Sequence, residues 1–242
     1  MSALEKRFLW NQKPLLLQYE EVIEDFLHSS PCSVVLDAGC GERSRATLQG
    51  KCKVVVGVDR EIPHGECTGI DARVVGDLRE LPFRSNIFSI IISFMVVEHL
   101  GDPAACFGEF HRICKPDGVA VITTPNLWHY ATLISALTPH WLHRWFLKVA
   151  FGSGYAPYPT AYRANSPRKL VSVMKNAGFK LVEMKLLDSG PVYLGWLTPA
   201  YTIGLIYHRL VNRFEVFSGL RGTILASFRR SNTVALLAYL KR

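Results

Sequence analysis

Apolar and polar residues fall along the chain in blocks whose period changes. From Pro14 to Leu27 the apolar positions Leu15, Leu16, Tyr19, Val22, Ile23, Phe26 and Leu27 recur at helical spacing, with Pro14 suited to a first turn. Ser29-Ser30-Pro31 ends this helix. Short β-branched runs follow: Val34-Val35-Leu36, Val54-Val55-Val56-Gly57-Val58, Ala72 to Val75, Phe88 to Phe94, and Val119 to Thr124. Each has the length and composition of a buried strand. A short helix is expected after Gly41 to about Gly50. A second runs from Pro103 to Cys114, with Phe107, Phe110 and Ile113 on one face. Lys115-Pro116-Asp117-Gly118 reads as a turn before the fifth strand. Ser166-Pro167 opens a helix that runs to Ala177 and stops at Gly178. Lys180 to Leu187 reads as a sixth strand and Thr233 to Leu240 as the last. The order βαβαβαβαβ predicts an α/β fold with a doubly wound, mostly parallel sheet.

The length of 242 residues suits one domain, 1–242, with two insertions. Residues 125–165 carry Trp128, His129, Tyr130, Trp141, His143, Trp145, Phe146, Phe151, Tyr155, Tyr158 and Tyr162. Following the fifth strand, this segment reads as a lid and acceptor pocket, and its aromatics suit a greasy or ring-bearing acceptor. His129, His140 and His143 read as structural more readily than catalytic. Residues 190–231 begin apolar and are then punctuated by Arg209, Arg213, Arg221, Arg229 and Arg230. They read as a helical cap, or as a segment lying in a membrane interface.

The candidate chemistry lies at the ends of the strands. The first run stops at Asp37-Ala38-Gly39-Cys40-Gly41, where an acid precedes two glycines one residue apart. Without side chains at Gly39 and Gly41 the backbone can turn tightly and lie close to a ligand. That ligand would occupy the crevice beyond the carboxyl end of the first parallel strand. A dinucleotide fingerprint needs a third glycine, and Ser44 occupies that position. The second run ends at Asp59, placed to accept hydrogen bonds from ribose hydroxyls. The third leads to Gly76-Asp77-Leu78. The fourth ends at Phe94 and is followed by Val97-Glu98-His99-Leu100-Gly101-Asp102-Pro103.

The D-x-G-x-G run resembles the first motif of the class I methyltransferases that use S-adenosylmethionine (SAM), and the resemblance covers roughly residues 30 to 125. It implies a seven-stranded sheet with an antiparallel last strand. It also implies a donor site built from Asp37, Gly39, Cys40, Gly41, Asp59, Arg60, Asp77, Leu78 and Phe94. In that family the acid matching Asp59 holds the ribose of SAM, and the acid matching Asp77 faces the adenine amino group. V-E-H-L-x-D-P is similar to the small-molecule branch. The Asn/Asp-Pro-Pro-Tyr/Phe segment of DNA and glutamine amino-methylases is missing. His99 becomes the candidate general base, since an imidazole titrates near neutrality, with bracing of the loop or lining of the SAM pocket as its other readings. Ubiquinone-pathway O-methyltransferases are similar here but carry a further acid that helps hold a metal. Met95 stands in that neighbourhood, so no metal is expected.

Charge and cysteine usage narrow the setting. The net charge of +8 is uneven: residues 1–139 hold 13 Lys/Arg against 17 Asp/Glu (−4), and 140–242 hold 15 against 3 (+12). The basic half points to an anionic membrane, an acidic substrate or nucleic acid. Six cysteines without CxxC pairs or metal spacing read as free thiols in a reducing compartment. Glu5, Lys6 and Arg7 interrupt any signal-peptide run, and prolines and glycines break the two long uncharged stretches. The expectation is a cytoplasmic, SAM-dependent methyltransferase acting on a small or lipid-like acceptor, with peripheral membrane contact through 190–231. The alternative is an RNA-modifying enzyme or non-catalytic adapter on the same fold. No RRM, KH or OB signature supports nucleic acid.

Overall fold

The computed structural model describes residues 13–29, 33–61, 68–138, 158–191, 194 and 198–231. Seven strands form one sheet: β1 (Val34–Ala38), β2 (Val54–Asp59), β3 (Ala72–Val75), β4 (Phe88–Phe94), β5 (Cys114–Pro125), β6 (Phe179–Leu187) and β7 (Thr223–Arg230). Among the described residues five α-helices accompany them: α1 (Leu15–His28), α2 (Pro103–Ile113), α3 (Tyr130–Leu137), α4 (Pro167–Asn176) and α5 (Thr198–Arg213). The strand order is β3-β2-β1-β4-β5-β7-β6. β1 to β5 pair in parallel, and β7 lies antiparallel between β5 and β6. The order reverses between β1 and β4, the switch point at which open α/β sheets bind ligands.

The central strands are buried on both faces, so they read as continuous apolar runs. Alternate residues feed two cores. Leu36, Ala38, Ile91, Ala120, Ile122 and Phe228 pack against α2 and α4 through Phe107, Phe110, Leu170 and Met174. Val35, Ile90, Ile92, Val121 and Leu225 pack against Tyr19, Val22, Ile23 and Leu27 of α1. α2 begins with Asp102 accepting from the Ala105 amide at 3.1 Å and Pro103 in the first turn, a cap that contributes about 1 kcal/mol.

The structure corrects three expectations. The helix expected after Gly41 is absent, and residues 41–53 form turns and bends. Ala46 and Leu48 are both buried in the α1 core, and residues two apart do not share a helix face. Lys115-Pro116-Asp117 is not a turn ahead of the strand. It bulges out of β5, where Cys114 pairs with Phe88 and Val119 with Ile90, and Asp117 has φ +62°. The seventh strand is Thr223–Arg230, inside the segment assigned to the second insertion, which therefore ends at Gly222. Ile224 to Phe228 are buried because the strand fills the space between β5 and β6. Thr233 to Leu240, the expected last strand, and Trp141 to Tyr155 of the lid lie outside the described residues.

Candidate active site

The carboxyl ends of β1 to β5 share one edge, and the sequence-derived residues collect there. Gly39 (φ +79°) and Gly41 (φ +57°) make the bend after β1. The amides of Gly39 and Cys40 donate to the Val58 carbonyl at 2.8 and 3.2 Å, pinning the bend to β2. A Cβ on Gly39 would lie 2.4 Å from Val96 Cγ2, so only glycine fits. Asp59, at the tip of β2, accepts from the Gly41 amide at 2.8 Å and the Arg60 amide at 2.7 Å. The acid expected to meet a ribose thus also shapes the glycine bend.

Asp37 is buried under this bend, and its Oδ2 has no hydrogen-bond partner among the described residues. Burial, with the charge of Asp59 beside it, pushes its carboxyl up to about 7 against the lowering effect of the Ser44 hydroxyl. Asp77 follows β3 and is held by arginines: Arg79 Nε at 3.0 Å and Nη2 at 2.8 Å, and Arg60 Nη2 at 3.0 Å. The Arg79 guanidinium keeps this carboxyl well below the usual range. Arg60 therefore ties the tip of β2 to the β3 loop, and Leu78 is buried beside it. Phe94 ends β4 edge-to-face with Tyr19 at 5.1 Å. The next residue, Met95, has φ +55°, a left-handed conformation uncommon outside glycine and enriched at functional sites.

His99 closes a 3-10 turn, Val97–His99, directly after this strained residue. Its Nδ1 lies 2.8 Å from the Pro159 carbonyl. A carbonyl only accepts, so Nδ1 carries the hydrogen and Nε2 of the neutral ring carries the lone pair. Nε2 sits 4.0 Å from Glu98 Oε1. Burial pushes the Glu98 carboxyl up to about 7, and Glu98 accepts from Thr124 Oγ1 at 3.2 Å. Asn165 Nδ2 donates to the same hydroxyl at 2.6 Å, and the amides of Ala161 and Tyr162 donate to the Glu98 carbonyl. The strap 158–165 is thereby fastened over the ends of β4 and β5. The Tyr158 ring stands 6.1 Å from His99.

Glu98, Thr124 and Asn165 escaped the sequence reading. A buried glutamate is legible only once its neighbours in space are known. A second buried group also went unread. Asp188, after β6, places Oδ1 2.5 Å from His208 Nδ1 and Oδ2 3.3 Å from His129 Nε2. Burial alone would raise this carboxyl, but His129 and His208 outweigh it and hold it well below the usual range. The structure thus gives His129 a carboxylate partner and joins α3 to α5. The signal was present: Asp188 ends its strand as Asp59 does. A cleft of about 530 Å³ opens at the opposite edge of the sheet, and none of the predicted site residues lines it. Among the described residues Cys40, Cys52, Cys106 and Cys114 take part in no disulfide. Among the described residues no group of three or more metal-ligating side chains could hold a metal, and no helix is long and apolar enough to cross a membrane.

A sheet of this order, with a glycine bend and acids on successive strand tips, defines a class I methyltransferase domain. Residues 11–184 match the family described as "Methyltransferase domain", and the chain belongs to that family. A Mycolicibacterium smegmatis protein described as a probable S-adenosylmethionine-dependent methyltransferase is 33% identical over 115 residues, covering 45% of this chain and 44% of that protein. A Cereibacter sphaeroides ubiquinone biosynthesis O-methyltransferase is 27% identical over 172 residues, covering 67% of this chain and 66% of that protein. The chain thus spans less than two thirds of the length of these relatives. The structure of a geranyl diphosphate methyltransferase in complex with SAM shares the fold, with a TM-score of 0.54 and 19% identity over 89% of this chain and 85% of that one.

The family's methyl donor is SAM, and the residues present fit it. The unpartnered, buried Asp37 oxygen is complementary to a cationic group. The bend at Gly39 and Gly41 leaves backbone without side chains: a Cβ at Gly41 would meet nothing within 4 Å. Asp59 retains acceptor capacity on both oxygens for a diol.

Proposed function

We propose that the protein transfers a methyl group from SAM to a small or lipid-like acceptor. Asp37, Gly39, Cys40, Gly41, Asp59, Arg60, Asp77, Leu78 and Phe94 hold the donor. SAM supplies a methyl already activated by its sulfonium. The protein's task is therefore to position donor and acceptor in line, exclude water and remove a proton where the acceptor carries one. Asp37 meets the donor's ammonium and Asp59 its ribose. Asp77 faces the adenine amino group, which takes the place of one of the four hydrogen bonds that Arg60 and Arg79 donate to its oxygens. His99 acts as the base: Pro159 holds its ring in the tautomer that leaves Nε2 open, and Glu98, Thr124 and Asn165 fix the turn that carries it.

Exposed aromatics flank this end of the molecule, Trp128 after β5 and Tyr158 beside His99. They support a ring-bearing or isoprenoid acceptor, as does the ubiquinone-pathway name of one relative. The partner is then a lipid-linked acceptor met at a membrane surface from the cytoplasmic side. The observation that carries the reading is the buried carboxylate of Asp37 beneath a glycine bend, one oxygen unpartnered, at the switch point of the sheet. Calorimetric titration with SAM and with its demethylated product tests it, followed by mass spectrometry of a native extract incubated with deuterated-methyl SAM. Binding of both and a labelled product are expected. No heat and no thermal shift in folded protein would overturn it.

A further inference from the structure

Helix α5 carries its apolar residues on two opposite faces. Gly204, Leu205, His208 and Val211 are buried. Gly204 lets the helix sit close, since a Cβ there would lie 2.4 Å from Pro191 Cβ. On the other side Ile203 (68% exposed), Ile206, Leu210 and Phe214 follow at spacings of three, four and four residues and all face solvent. A surface helix of a soluble domain turns charged and polar residues outward; this one turns outward an apolar stripe. The 3-10 turn Glu215–Leu220 prolongs it with Val216 (84% exposed) and Phe217.

α3 touches α5 where Tyr130 and Tyr207 meet with ring centroids 5.0 Å apart. Ile134, one turn beyond Tyr130, and Leu137 (76% exposed) are open to solvent. α3 follows the carboxyl end of β5. The Glu215–Leu220 turn leads into the start of β7, whose Thr223 pairs with Pro125. The apolar face therefore stands at the edge of the sheet that bears Asp37, Asp59 and His99.

Its charge selects the partner. Arg209 and Arg213 are exposed along one flank of the stripe, and the Arg213 guanidinium lies 5.9 Å from the Phe214 ring. The carboxylate of this region, Glu215, is neutralised by Arg221 at 2.5 Å. Apolar side chains bordered by arginines suit an interface with lipid tails below and anionic headgroups beside them. We propose that this face is a docking surface for an anionic lipid bilayer, with α5 lying in the membrane plane. The proposal rests on the lipid-like acceptor argued above, because it brings the acceptor mouth to the surface where such a molecule resides.

Co-sedimentation of the full chain with vesicles of phosphatidylcholine alone, or with one third phosphatidylglycerol, tests it. The protein should partition onto the anionic vesicles, less onto neutral ones, and be released by high salt. Ile206→Glu with Leu210→Glu should lower partitioning by about tenfold or more, and Arg209→Glu with Arg213→Glu should abolish the anionic preference at roughly the same cost. Both variants should keep the thermal shift given by the demethylated donor product, which shows an intact fold. Wild-type protein left in the supernatant with every vesicle, or variants that partition like wild type, would overturn the docking surface. So would a wild-type dimer that Ile206→Glu with Leu210→Glu converts to monomer by light scattering, since a second copy would then cover the face. Loss of the donor shift in wild type with vesicle binding retained would overturn the methyltransferase reading and leave the docking face standing.

Discussion

Two side chains, His99 and Asp37, carry the proposed chemistry, and each makes a separate claim. If His99 Nε2 takes the acceptor proton, His99→Gln should cut turnover by about 10²-fold or more, while affinity for the demethylated donor stays within a small factor. An unchanged rate would remove it as the base. Asp37 predicts a pH dependence of the ligand-free protein. Its carboxyl is raised to about 7 by burial, whereas the unfolded chain loses that proton near 4. Below about pH 4 both states hold the proton and the full stability is present. Between about 4 and 7 only the folded state still holds it, so stability falls as pH rises until the folded group ionises. Glu98, also raised to about 7, adds to the same decline. Asp37→Asn should therefore flatten part of the loss between pH 5 and pH 8 in chemical denaturation, a change on the order of 1–4 kcal/mol. The same substitution should weaken donor binding. A pH profile identical to wild type would show that the buried carboxylate is already compensated.

Whole elements show where the sequence was legible. The strand tips were, because each early apolar run stops abruptly at an acid or a glycine: Asp37, Asp59, Gly76. Helix α2 was too, with Asp102-Pro103 at its start and its aromatics three apart. The segment after Gly41 was not, since Ala46 and Leu48 are buried through the core formed with α1, a contact far off in sequence. Nor was the seventh strand. Ile224 to Phe228 form it by pairing with β5 and β6, contacts far off in sequence. Phe228, fully buried in that strand, should cost about 3–5 kcal/mol when replaced by alanine. Deleting residues 190–231 would remove β7 and unfold the sheet, so α5 must be probed by substitution. Asp188→Ala leaves His129 and His208 buried without their carboxylate and should destabilise by about 3 kcal/mol. Hydrogen exchange should quicken in α3 and α5 and stay unchanged in α1 and β1. Unaltered exchange in α5 would mean that apolar packing alone holds it.

At the scale of the whole molecule, the two halves divide the labour that their charges foreshadow. The acidic half carries the proposed donor edge from β1 to β4 together with β5 and α3, and the basic half supplies the strap, α5 and β7 around the proposed acceptor side. The halves meet where Pro159 holds His99 and Asn165 reaches Thr124. Residues far apart in sequence make these contacts, so no local pattern announced them. A ligand that bridges the tips of β1 and β2 should stabilise the sheet as one unit. With the demethylated donor product at about 100 times its dissociation constant, mass action contributes about 2.7 kcal/mol, a rise in melting temperature of roughly 5–11 °C for a domain of this size. Asp59 separates two ways of losing that rise, because it accepts from the Gly41 and Arg60 amides and is also the proposed partner of the ribose. Asp59→Asn keeps one acceptor oxygen for an amide and should retain most of the ligand-free stability while losing most of the shift. Asp59→Ala should lose both, since the bend is released from β2. If Asp59→Ala melts like wild type and still shifts with ligand, neither the bend nor the donor site depends on the tip of β2.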